Sequence, residues 1–291
     1  LVDLTLPRTS SIYASESAVD KLEAILAEDE DIASWSTYIG QGAIRFYLPL
    51  DVQLPNPFFS QFVVIARDVE ARERLQTRLQ GLLAEKFPQA NGRVSPLELG
   101  PPVGWPVQYR VSGPSLDKVR EVALEVAQLM STDRNLRRIN YDWMEPSRVV
   151  RIVIDQDQAR LLGLSSDSVG SAINSTISGA TVTQVRDDIY LVNVVVRATG
   201  EERVSLTTLR SLQIPLASGR TVPLSQLATL SFDQETPLIW RRDRVPTLTV
   251  RADVAPGVLP ESVATKLEPG IDEINSRLPP GYQVVAGGTV E

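Results

Sequence analysis

A chain with no His and no Cys lacks the usual general base near neutral pH and the usual thiolate nucleophile. Carboxylates are what remain for acid/base work. Asp155 with Asp157 and Asp187 with Asp188 are the close pairs, but carboxylates so near in sequence are read as turn and cap residues rather than a catalytic dyad. No Gly-x-Ser-x-Gly elbow and no Gly-x-x-x-x-Gly-Lys phosphate loop occur, and Gly40-x-Gly42 is not completed by a third Gly. Zinc and copper need imidazole, thiolate or thioether, and the two Met residues, Met130 and Met144, are a thin supply. Met130 sits on an apolar helical stripe, so it is read as core. The acidic run Glu28-Asp29-Glu30-Asp31 lacks the alternation and Gly of a calcium loop and reads as a solvated loop after a helix. Asn174-Ser175-Thr176 matches a glycosylation sequon but falls on a predicted helix. The expectation is a protein that is not an enzyme and holds no cofactor or metal.

What the residue types do offer is binding. Trp105, Tyr109, Tyr141, Trp143 and Trp240 lie near Gly-Pro-rich segments, and Phe46, Tyr47 and Phe58 lie in or beside a long irregular stretch after Gly40. Each could plug a core. As a group they point to an apolar cleft.

The elements that would position these residues follow from periodicity. Residues 1–6 alternate as a strand, and residues 15–27 place Ala18, Val19, Leu22, Ile25 and Leu26 on one helical face. Strands at 32–39 and 59–67 follow, then a helix at 69–87 with Leu75, Leu79, Leu82 and Leu83 aligned, and an extended stretch at 93–99. The order β-α-β-β-α-β is the ferredoxin-like split βαβ pattern. Between its second and third strands, residues 40–57 form a Pro- and Gly-rich loop longer than the ~12–15 residues usual within a module, which suggests a functional loop.

Leu99-Gly100-Pro101-Pro102-Val103-Gly104-Trp105-Pro106 reads as a hinge. After it, Val107, Tyr109 and Val111 alternate in a strand; Ser115 caps a helix carrying Leu116, Val119, Val122, Ala123, Val126, Leu129 and Met130; and residues 136–143 are extended. The strand, helix and strand that would complete this second module arrive only from Thr247. Leu248, Val250 and Ala252 alternate there, residues 261–278 are helical with a kink expected at Pro269-Gly270, and residues 282–286 are extended.

The interruption opens at residues 148–165. Val150, Ile152 and Ile154 alternate, then Ala159, Leu161 and Leu162 form a short helical stripe stopped at Gly163, and Ser165 or Ser166 caps a helix over 167–177. Hairpins are expected around Asp187-Asp188 and at Ser218-Gly219 within 213–227, with a short helix near 206–212. The expected fold class is α+β, two ferredoxin-like modules with an α+β insertion in the second: residues 1–106; 107–145 with 238–291; and the insertion 146–237.

Composition sets the outer limits. The 291 residues suffice for two or three cores and carry a net charge of −7. Nine acidic against three basic residues fall within 1–60. An acidic chain without basic clusters lacks the footprint of nucleic-acid binding. No apolar run approaches the ~20 residues that span a bilayer. A strand at the very start, without Met, and another at the very end predict a segment of something longer.

Several strings, taken in order, resemble the second large periplasmic loop of resistance-nodulation-division (RND) efflux transporters. They are Ile154-Asp155-Gln156-Asp157-Gln158-Ala159 with Leu162-Gly163-Leu164-Ser165, then Thr221-Val222-Pro223-Leu224-Ser225, Ala255-Pro256-Gly257, and Leu278-Pro279-Pro280-Gly281-Tyr282. The resemblance covers essentially the whole chain. It implies two porter subdomains, the second split by a docking subdomain, within a bacterial inner-membrane pump driven by protons. Partners would be the first periplasmic loop and transmembrane helices of the same protein, two further copies in a homotrimer, a periplasmic adaptor and an outer-membrane channel. Amphiphilic small molecules would be its substrates. By the same resemblance Trp105, Val107 and Tyr109 would line the cleft, facing Thr249 and Arg251, with Asn140 and Asp142 at its entrance. Gly40, Gly42, Phe46, Tyr47, Phe58 and Phe59 would belong to a flexible loop, and Ser218, Gly219 and Arg220 to a docking turn. Tandem modules of this type also serve as small-molecule sensors in cytosolic regulators, which is the alternative reading.

Overall fold

The computed structural model describes residues 1–97 and 104–289, and the chain divides into two compact units, Leu1–Ser147 with Thr236–Glu291, and Arg148–Glu235. The first unit opens with β1 (Val2–Thr5), α1 (Ile12–Ala27), β2 (Ile32–Ile39), β3 (Phe59–Ala66), α2 (Val69–Lys86) and β4 (Asn91–Val94). Helix α1 begins a turn earlier than its apolar stripe because the Ser11 hydroxyl accepts the Ala14 N–H. The part of the predicted last strand beyond residue 97 lies outside the described residues. The sheet order is β2-β3-β1-β4, all neighbours antiparallel.

Alternation gives this sheet two faces. Val2, Leu4, Phe62 and Val94 face the helices and pack with Leu22, Leu26, Leu75, Leu79 and Leu83. The other face carries Asp3, directly opposite Gln61 on β3 and Arg93 on β4. Asp29 and Asp31 are more than a solvated run: Arg78 from α2 grips the first, and Arg74 and Arg78 the second, leaving the carboxylates 11% and 17% exposed.

The second module starts with β5 (Val107–Ser112), α3 (Leu116–Ser131) and β6 (Leu136–Tyr141). The chain then leaves for the second unit: β7 (Ser147–Ile154), α4 (Gln156–Leu161), α5 (Ser166–Ile177), β8 (Ala180–Asp187), β9 (Tyr190–Val196), α6 (Gly200–Val204), α7 (Leu206–Ser211), β10 (Gln213–Pro215), β11 (Thr221–Pro223) and β12 (Ala228–Glu235). Its core gathers Ala159, Leu164, Val169, Ile214, Val222, Leu224 and Leu227. Asp155 caps α4 by accepting the N–H groups of Asp157 and Gln158, while Asp157 lies 3.4 Å from Arg160. Gly163, at φ +71°, ends that helix in the left-handed region that favours glycine. Ser165 and Ser168 make a reciprocal capping pair at the start of α5. Asp188 takes the positive φ of the β8–β9 turn. One member of each carboxylate pair thus serves the local backbone, Asp155 as a cap and Asp188 in a turn. Strand β12, paired with β7, and helix α6 were not anticipated from periodicity.

On return, β13 (Arg241–Arg242) turns through Asp243 and Arg244, both at positive φ, into β14 (Val245–Val254), followed by α8 (Pro260–Arg277) and β15 (Gln283–Gly288). The order β6-β14-β5-β15 repeats that of the first module: second, third, first, fourth strand. Leu248, Val250 and Ala252 pack with Val119, Val122, Val126, Met130, Val263, Leu267 and Ile271. Helix α8 runs on through Pro269 rather than breaking there. Gly270 has a packing role, since a Cβ at that position would stand 2.7 Å from Leu129 of α3. No helix among the described residues is long and apolar enough to cross a membrane.

Candidate binding cleft

The faces of the two sheets turned away from their helices contribute to a cavity of about 190 Å³ within the first unit. From the first sheet come Asp3, Gln61, Phe59 and Arg93, from the second Arg251, from just before β5 Trp105, and from the long loop Tyr47, Leu50 and Asp51; residues 98–103 of the expected hinge lie outside the described residues. Strand alternation explains the selection: Asp3 sits between core residues Val2 and Leu4, and Arg251 between core residues Val250 and Ala252.

Two arginines meet at Trp105. The Arg93 guanidinium carbon lies 4.3 Å from the indole centroid and that of Arg251 5.1 Å, both within cation–π range. Arg93 is held by Asp253 and the backbone: its Nη2 donates to Asp253 Oδ1 at 3.0 Å and to the Gly104 carbonyl, and its Nε to Asp253 Oδ2 at 3.3 Å. Arg138, at φ 54°, donates to the Gly92 carbonyl at 3.0 Å and lies 3.8 Å from Asp253. Arg251 is held differently, its Nε donating to Asn140 Oδ1 at 2.7 Å. Burial holds the Arg251 guanidinium below its ordinary pKa, partly offset by Asp142. An arginine nevertheless keeps its charge.

Burial also pushes the Asp3 carboxyl above its usual range, against the bond from Gln61 and the nearby charge of Arg93. Gln61 Nε2 donates to Asp3 Oδ1 at 2.7 Å, while Gln61 Oε1 accepts the Ala43 N–H, also at 2.7 Å. One side chain thus ties the start of the long loop to the sheet. The loop is closed at its base, where Gly40 N donates to the Phe59 carbonyl at 2.8 Å and Asn56 N to the Gly40 carbonyl at 2.9 Å. Gly42 sits where a Cβ would come within 2.8 Å of Gln53, so the two limbs of the loop approach closely there.

The structure redistributes the expected site. Val107 and Tyr109 do not reach the cleft: they are 1% and 2% exposed, on the helix-facing side of β5, and burial pushes the Tyr109 phenol up to about 12. Their alternation with Val111 already required this, since the three share one face. Thr249 and Arg251 alternate with the core residues Leu248, Val250 and Ala252, and of the two Arg251 lines the cavity. Asn140 and Asp142 act as supports, Asn140 for Arg251 and Asp142 by accepting the Thr249 N–H at 2.7 Å, with burial raising the Asp142 carboxyl. Phe58 belongs to the first core, whereas Phe59 faces the cavity. Phe46 is half exposed and its ring centroid is 5.4 Å from that of Tyr47. The other hinge aromatics do not gather at the cleft. Trp143 is a core residue whose indole donates to the Thr247 carbonyl at 2.9 Å, Tyr141 packs against the same core, and Trp240 is exposed. Ser218, Gly219 and Arg220 form the exposed β10–β11 turn of the other unit, with Gly219 at φ +81°. Among the residues missed were Asp3, Gln61, Arg93 and Asp253. A charge between two apolar strand residues, as in Val2-Asp3-Leu4, was the available signal.

Among the described residues no group of three or more His, Cys, Asp or Glu could hold a metal ion. The fold is thus two split βαβ modules, with the chain leaving the second between its second and third strands to form the other unit. The chain belongs to the AcrB/AcrD/AcrF family of RND transporters, whose model matches residues 3–291. It is 22% identical over 237 residues to an uncharacterized transporter of Haemophilus influenzae, covering 78% of this chain and 22% of that protein. It is 25% identical over 135 residues to the multidrug export protein AcrF of Escherichia coli (44% and 13%), and 25% over 190 residues to the nickel and cobalt resistance protein CnrA of Cupriavidus metallidurans (62% and 17%). The crystal structure of a heavy metal efflux pump superposes with a TM-score of 0.79 at 22% identity, covering 99% of this chain and 30% of that one. The chain thus spans between 13% and 22% of the length of these curated relatives.

Proposed function

We propose that this chain is the second large periplasmic portion of a proton-driven RND pump and that its cleft admits amphiphilic small molecules. In this reading residues 1–106 are one porter subdomain, and residues 107–145 with 238–291 the other. Residues 146–237 are a docking subdomain whose Ser218–Gly219–Arg220 turn faces the adaptor or outer-membrane channel, and the working pump is a trimer. Proton coupling belongs to transmembrane helices outside this chain.

The observation that carries the reading is the placement of Trp105, an indole beneath two guanidinium groups at a cavity fed by both modules. Such a site holds the flat apolar part of a molecule without chemistry on it. Relatives named for multidrug export and for nickel and cobalt resistance leave the substrate class open. The chain's lack of His and Cys, with Met130 fully buried, favours organic amphiphiles over soft metal ions. The test is Trp105→Ala in the full-length pump, expressed in a host stripped of its own exporters. Reduced export of aromatic amphiphiles at unchanged protein level is expected, and unaltered export of every compound would overturn the assignment of the cleft.

A further inference from the structure

Resting on that reading, we infer that the cleft selects amphiphiles bearing a carboxylate, received by the two terminal nitrogens of Arg251 while the adjoining ring lies against Trp105. The neighbouring cations are already spent. Arg93 has a forked bond to Asp253 and a third to the Gly104 carbonyl, and Arg138 is bonded to the Gly92 carbonyl beside the same Asp253. Arg251 is the exception. Its Nε is fixed by Asn140, yet among the described residues neither Nη nitrogen makes a hydrogen bond and no carboxylate lies within ion-pairing distance.

The carboxylates nearby are likewise committed. Asp253 belongs to Arg93, Asp142 accepts the Thr249 N–H at 2.7 Å, Asp51 accepts the Gln53 amide at 2.9 Å, and Asp3 faces Gln61. A half-buried guanidinium is left with its fork open toward a cavity. Withdrawing a charge from water without a partner is costly, and a bound carboxylate removes that cost through two parallel N–H···O bonds. Anchoring of Nε by Asn140 and the contact with Trp105 fix the plane of the fork in advance, so little freedom is lost on binding. The cavity, about 190 Å³, suits a small aryl group, since an apolar cavity of about 150 Å³ already admits benzene.

The test uses the purified full-length pump with 1-naphthoate and its uncharged counterpart 1-naphthamide, bound by equilibrium dialysis. The wild type should bind the carboxylate about tenfold or more tightly than the amide, the value of one or two charge-assisted bonds. Arg251→Gln should erase that difference by weakening naphthoate about tenfold or more while leaving naphthamide within about twofold. Equal binding of the two probes by the wild type, or equal weakening of both in the variant, would overturn the inference. Trp105→Ala separates this from failure of the cleft itself. If it weakens both probes while Arg251→Gln produces no selective loss, the cleft stands and carboxylate selection falls. If it leaves both untouched, the cleft assignment falls and the inference with it.

Discussion

Arg93 on β4 and Asp253 on β14, 160 residues apart in sequence, form a forked ion pair with a closest approach of 3.0 Å and side chains only 14% and 18% exposed. The pair joins the two split βαβ modules, as does the bond from Arg138 to the Gly92 carbonyl. Removing one partner leaves the other charged and poorly solvated. Asp253→Asn is expected to destabilise the fold by about 3 kcal/mol, because Arg93 and Arg138 then face each other without a counter-charge. Urea unfolding of Asp253→Asn, Arg93→Met and the double variant measures it. The double variant should lose clearly less than the sum of the singles.

Asp3 carries a pH signature. Burial raises its carboxyl above the ordinary 3.8, so between that value and the raised one the native state binds more protons than the unfolded chain. Stability contributed at this position is present below the unfolded value and is lost as pH rises through the folded one. Asp3→Asn keeps the acceptor for Gln61 and removes the penalty. It should be more stable than the wild type at about pH 7, with the advantage vanishing as pH falls below 3.8. Denaturant midpoints across that range decide the matter, and an advantage that grows on acidification would contradict the assignment.

Gln61 governs the loop between β2 and β3. Gln61→Leu removes its bonds to Ala43 N and Asp3 Oδ1. Loss of a net bond worth about 1–1.5 kcal/mol should speed amide exchange at Ala43 and its neighbours roughly tenfold. Hydrogen exchange read by mass spectrometry over the loop peptide gives the answer. Unchanged protection would mean that Leu50, buried at 3% exposure, holds the loop unaided.

Trp143 tests the core of the second module. Trp143→Phe fills most of the same volume but leaves the Thr247 carbonyl without its indole donor. A cost of about 1–3 kcal/mol is expected, seen as a lower denaturant midpoint at unchanged slope. A variant as stable as the wild type would show that another donor reaches that carbonyl.

Much of the architecture was legible in the chain because its causes are local. Apolar residues two apart, as in Leu248, Val250 and Ala252, or three and four apart, as in Leu75, Leu79, Leu82 and Leu83, state their element without reference to the rest of the molecule. Caps and stops such as Ser115 and Gly163 added the boundaries. The second module broke off after residue 143 and resumed only at Thr247, which made the insertion expected at 146–237 visible.

The site was less legible, and for one part of it the local signal was overridden. Resemblance points Val107 and Tyr109 to the cleft, whereas their alternation with Val111 puts all three beneath the sheet, in contact with the helices. Clustering of aromatics in sequence was a poor guide for the same reason: neighbours such as Tyr141 and Trp143 serve the core, while Trp105 alone meets the two arginines.

Composition and short-range period alone carried the two repeated modules, the inserted unit and the lack of His and Cys. Only the tertiary structure decided that Arg93 would spend its charge on Asp253 while Arg251 kept its fork open, and that Gln61 would bridge Asp3 and Ala43. Those pairings are set by which strand faces meet across long stretches of chain. No local spacing encodes that, because a strand specifies which side each residue takes and leaves the partner on that side to the fold.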